Sequence, residues 1–149
     1  MSLIKWNDAY SIGFDEIDLQ HRQLIKIINN LDHALECGQP DKLTWIKHET
    51  LDALTDYTVF HFSFEEQLMR QMNYPNLRAH QKAHRQMAKN LINIQMDFTR
   101  GHLPLNTQLM SIMINWLNDH VLYEDKNFGL YAAGKPRESL CVPCGDRHL

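Results

Sequence analysis

Nine of the 149 residues are histidine, and five of these are spaced to act together with two carboxylates. His61 and Glu65 are four residues apart, as are His80 and His84, so each pair falls on one helix face about one turn apart. A lone histidine on an apolar stripe is ordinarily a hydrogen-bonded core residue. Several together are harder to bury, because each unpartnered ring costs about 1–3 kcal/mol against the roughly 5–15 kcal/mol that keeps a small domain folded. A metal satisfies them jointly. Imidazole plus carboxylate without thiolate suits iron, zinc, copper or nickel, and the carboxylates favour harder ions such as iron or manganese. Seven donors, His21, His61, Glu65, His80, His84, His120 and Asp125, exceed what one tetrahedral zinc uses, so two metals bridged by the carboxylates are expected. The Glu-x-x-His motif of other di-iron bundles is absent, and His48-Glu49 is followed by Asp52 where a zinc protease needs histidine.

The elements that must hold these side chains are helices. Gly38-Gln39-Pro40-Asp41, Asn73-Tyr74-Pro75-Asn76 and Gly101-His102-Leu103-Pro104 combine proline with glycine or asparagine, the residues that stop helices and make turns. Between them, apolar residues recur in steps of three and four, with the donors on the same seams: His21, Leu24, Ile28; Leu54, Thr58, His61, Glu65, Leu68; His80, His84, Met87; and Met113, Trp116, His120, Tyr123. The expected fold is all-α, an antiparallel up-down four-helix bundle with an irregular N-terminal lead-in and a short C-terminal tail. In such a bundle, residues are level when the midpoint of their numbers falls at the joining turn. His21 and His61 centre on Asp41, Glu65 and His80 beside Asn73, and His84 and His120 on His102. All therefore fall in one layer. Asp125 centres with His80 on the same last turn, although its distance of five residues from His120 is off the helical period.

A net charge of −3 with no basic block argues against nucleic acid. No apolar run is long enough to span a bilayer, and the first residues do not read as a secretory signal, so a cytoplasmic location is expected. Three cysteines do not make a disulfide framework in a chain with this much core.

From about Trp6 to Tyr131 the chain resembles the hemerythrins, in particular the single-domain bacteriohemerythrins. The resemblance rests on Ile17-Asp18-Leu19-Gln20-His21, His61-Phe62-Ser63-Phe64-Glu65-Glu66, Tyr74-Pro75, His80-x-x-x-His84 and Trp116-Leu117-Asn118-Asp119-His120 with Asp125. It implies residues 1–131 as a di-iron domain, lead-in 1–17 included, and 132–149 as a tail. It implies two non-heme irons, one held by His80, His84 and His120 and the other by His21 and His61. Glu65 and Asp125 would bridge them with an oxo or hydroxo group, leaving a vacancy on the two-histidine iron. The implied function is reversible dioxygen binding, for transport, storage or scavenging, rather than enzymatic turnover. Leu24, Phe62, Trp116, Leu117 and Val121 match positions near the oxygen site, and as plain bundle core they would look the same. An oxygen or redox sensor signalling to a protein partner, or a peroxide- or nitric-oxide-consuming enzyme, are the alternatives.

His33, His48 and His102 read as solvated surface. Glu66, Glu124 and Asp119 adjoin donors but are expected to point elsewhere on their helices. The tail pair Cys141 and Cys144, near His148, is a weak signal for a redox dithiol or a second metal site.

Overall fold

The computed structural model describes residues 3–36, 40–102 and 107–134. Most of the described residues are helical: α1 (Asp15–Glu36), α2 (Pro40–Gln71), α3 (Leu77–Thr99), α4 (Thr107–Asp119), a π-helical segment (His120–Asp125) and α5 (Lys126–Ala133). The last three run on from one another as one rod, which makes four rods in all. Cys141, Cys144 and His148, like the turn residues Gly38, Gln39, Leu103 and Pro104, lie outside the described residues.

Two of the expected turns are visible as helix caps. After α2, Asn73 takes φ 53°, the Tyr74 N–H donates to Met69 C=O at 2.9 Å and the Asn73 N–H to Arg70 C=O at 3.1 Å. After α3, Gly101 takes φ 73°, with His102 N–H donating to Asp97 C=O and Gly101 N–H to Phe98 C=O. Both are Schellman closures, which need a residue tolerant of the left-handed region just past the helix, and glycine and asparagine are the usual ones. They stop α2 and α3 abruptly and fix where the next helix begins its return.

The lead-in is shorter than its sequence suggested. A 3₁₀ turn spans Asp8–Tyr10 and α1 begins at Asp15. Asp18 ties the lead-in down by accepting from the Ile12 N–H at 2.8 Å and the Ser11 hydroxyl at 2.5 Å. Tyr10, Ile12 and Phe14 are buried, and the Tyr10 hydroxyl donates to Asn118 Oδ1 at 2.8 Å. The segment passes so close to α5 that a Cβ on Gly129 would stand 2.1 Å from Ile12 O.

Apolar side chains form two clusters, one containing Leu24, Ile28, Leu54, Leu117 and Val121, the other Ile17, Phe64, Leu68, Met72 and Phe128. The donor residues lie where the two clusters meet. On α1, His21 falls between Ile17 and Leu24, and on α2 His61 and Glu65 fall between Leu54 and Leu68. Hydrophobic burial at both ends thus holds a polar layer in the middle, where packing alone would not place one.

Candidate metal centre

The seven donors form two overlapping sets. Glu65, His80, His84, His120 and Asp125 make one, and His21, His61, Glu65 and Asp125 the other; within each, one donor atom per residue lies within 4.8 Å of all the others. Every one of these residues is buried, and His21, His61, Glu65 and Asp125 are wholly so. The two carboxylates belong to both sets.

Their atoms converge instead of pairing off. Asp125 Oδ1 stands 3.0 Å from Nε2 of both His80 and His120, and Asp125 Oδ2 stands 2.9 Å from His21 Nε2. Neither Asp125 oxygen is aligned for a hydrogen bond, and both His21 nitrogens, His61 Nε2 and Glu65 Oε1 likewise make no aligned hydrogen bond. Nε2 of His84 and Nε2 of His120 face each other at 3.0 Å, although each ring already uses its other nitrogen as a donor. Lone pairs aimed at shared points, buried and unsatisfied, are what a cation requires and what hydrogen bonding alone does not produce. The donor set fits two ions of the nitrogen- and oxygen-binding class, iron included.

Electrostatics in the metal-free layer agree with this crowding. Burial pushes His61 down to about 3, against the opposing pull of Glu65. Burial also acts to lower His80, but Asp125 and Glu65 beside it prevail and hold it up at about 9. Glu65 and Asp125 would be raised by burial, yet the surrounding imidazoles keep both well below the usual carboxylate range.

The π-helical segment supplies the donor whose spacing looked wrong. Its wider turn brings residues five apart onto one face, so His120 and Asp125 both point inward. The same widening corrects a second expectation: Tyr123, placed on the seam by α-helical counting, is 67% exposed.

Glu66 and Glu124, set aside on sequence grounds, also need correcting. The His84 Nδ1–H donates to Glu66 Oε1 at 2.9 Å, and the His120 Nδ1–H donates to Glu124 Oε2 at 3.0 Å. Gln20 plays the matching part for His61, whose Nδ1–H donates to Gln20 Oε1 at 2.8 Å. Each contact fixes the tautomer that leaves Nε2 free to face the centre. The signals were available: Glu124 is four residues past His120, and Glu66 and His84 centre on Pro75 at the turn. Asp119 is exposed, as are His33 and His102. His48 is not simply solvated, for it is half-buried with its ring 4.4 Å from that of Phe98.

Of the expected pocket residues, Leu24, Phe62, Leu117 and Val121 are buried and Trp116 half-buried. Phe62 stacks on His84 with ring centroids 3.8 Å apart, and Trp116 stacks on His120 at 5.4 Å. Leu24, Leu117 and Val121 share one apolar cluster, with Trp116 packed against it.

Residues 12–131 match the model of the hemerythrin HHE cation binding domain. The chain is 33% identical to the bacteriohemerythrin of Stenotrophomonas maltophilia over 128 residues, covering 86% of this chain and 80% of that one. It is 29% identical to the bacteriohemerythrin of Methylococcus capsulatus, over 87% of this chain and 96% of that one. A solved wild-type hemerythrin superposes with a TM-score of 0.80 at 27% identity, over 86% of this chain and 96% of the other.

Proposed function

This chain belongs to the hemerythrin family, and from that premise we propose that its buried centre holds two non-heme irons and binds dioxygen reversibly. It is an oxygen-binding protein rather than an enzyme. The observation that carries the reading is the pair of overlapping donor sets sharing Glu65 and Asp125.

When bound, a di-iron pair supplies the electrons and the open coordination position that dioxygen binding needs. His80, His84 and His120 would hold one ion, His21 and His61 the other, and Glu65 and Asp125 both. The two-histidine set offers one imidazole fewer than the other, so a small ligand such as dioxygen would be taken up beside His21 and His61. Leu24, Leu117 and Val121, each within three residues of His21 or His120, belong to one buried apolar cluster, and Phe62 and Trp116 stack on His84 and His120. Excluding water in this way protects a reduced metal from irreversible oxidation. The di-iron role is assigned to residues 1–131, with 132–149 as an appendage. No helix among the described residues is long and apolar enough to cross a membrane, and a cytoplasmic location is part of the proposal.

The test is the optical spectrum of the anaerobically reduced protein before oxygen, after oxygen, and after oxygen is removed. A charge-transfer band that comes and goes with oxygen is the expected result. Irreversible conversion at the first exposure would replace the carrier reading with a sensor or an oxidising enzyme.

A further inference from the structure

The outer nitrogens of the two histidine sets have unequal partners. In the three-histidine set, His84 and His120 each donate to a carboxylate, Glu66 and Glu124. In the two-histidine set, His61 donates to the neutral amide oxygen of Gln20, and the outer nitrogen of His21, Nδ1, has no hydrogen-bond partner. A carboxylate on the outer N–H fixes the tautomer and also pushes electron density into the ring, making Nε2 a stronger donor. An amide fixes the tautomer without adding charge. Glu66 is itself held in place, since its Oε2 accepts from Gln81 Nε2 at 3.0 Å and lies 3.7 Å from Arg70 Nη2.

We propose that Glu66 and Glu124 are positioning residues that make the three-histidine set the tighter metal site and the last to release its ion, while Gln20 keeps the two-histidine set weaker. This rests on the two-metal reading above. It would give the asymmetry a second purpose: an ion held by His21 and His61 would have fewer and weaker donors on the side where a small ligand would be taken up. Glu66 outranks Glu124 in effect, because its side chain is 18% exposed against 44%, and water screens the more exposed charge.

Challenging the iron-loaded chain with a strong chelator and following metal release by absorbance tests this. The wild type releases iron in two phases of equal amplitude. A third imidazole alone would also produce two phases, so the variants decide. Glu66→Gln, which keeps an acceptor but removes its charge, speeds the slow phase by roughly 10-fold, the lower end of the range for losing an outer partner altogether, and leaves the fast phase unchanged. Glu124→Gln does the same to a smaller extent. Gln20→Glu, which keeps the acceptor for His61 and adds a charge to it, slows the fast phase. A slow phase indifferent to Glu66→Gln, both phases quickened alike, or a fast phase indifferent to Gln20→Glu would each overturn the proposal. No oxygen is involved, so those outcomes leave dioxygen binding standing. A wild-type protein that holds a single iron would instead sink the two-metal reading, and the proposal with it.

Discussion

His120 Nε2 and Asp125 Oδ1 are 3.0 Å apart although Asp125 is five positions further along the chain, because the helix between them is π-helical. At 3.6 residues per turn, a residue five positions on points roughly 140° away, and Asp125 would leave the layer. The extra residue per turn returns it to the same face. Phe128 beyond it is fully buried and closes the second apolar cluster. A local irregularity in one rod therefore completes both donor sets without disturbing the packing on either side.

Because Asp125 serves both sets and His61 only one, their substitutions separate. His61→Ala is expected to lower the iron content from about two per chain towards one, and Asp125→Asn to weaken both positions. Iron and protein assays on variants purified with ample iron measure this. Equal losses from the two substitutions would contradict the shared-carboxylate arrangement.

Metal-free protein should be most stable near pH 6.5. His80, held up at about 9 in the folded chain, contributes stability that is complete below its ordinary value of 6.5 and is lost as the pH rises towards 9; His120 acts in the same direction. His61, pushed down to about 3, contributes stability present above 6.5 and lost as the pH falls towards 3. Glu65 and Asp125 add to the loss at acid pH, since their folded values lie below 4.5 and 3.8. Thermal melts in chelator from pH 4 to 9 should therefore pass through a maximum, and a melting temperature still rising at pH 9 would refute the assignment.

Thr58 is wholly buried on α2 and its hydroxyl has no partner, whereas the Thr55 hydroxyl donates back to Leu51 C=O at 3.0 Å. Thr58→Val keeps the shape and removes the unpaired group, so it should stabilise the fold by about 1 kcal/mol. Urea denaturation of the two proteins gives the difference. A loss of 1 kcal/mol or more would mean that the hydroxyl has a partner, such as a buried water.

Gly129→Ala places a methyl group against the Ile12 carbonyl. Both atoms belong to packed segments, so the lead-in must move, at a cost of about 1–3 kcal/mol. Denaturation midpoints test this, and a neutral result would show that the lead-in is not seated on α5.

The seven donors and their common height were legible in the sequence because antiparallel α-helices of constant rise turn spatial level into arithmetic on residue numbers. Apolar periodicity likewise marked which faces turn inward. Asp125 looked out of phase, Tyr123 looked buried, and Glu66 and Glu124 looked uninvolved, each for a physical reason. Periodicity assumes 3.6 residues per turn everywhere and cannot register a π turn in advance. Spacing puts Glu66 and Glu124 within reach of His84 and His120, but whether the outer hydrogen bond forms depends on the rotamer of a long side chain and on how closely two helices approach. The sequence by itself determined which atoms could bind metal. Only the packed bundle brought them into two overlapping sets and decided which imidazoles are backed by a carboxylate, because those relations exist only once the rods are side by side.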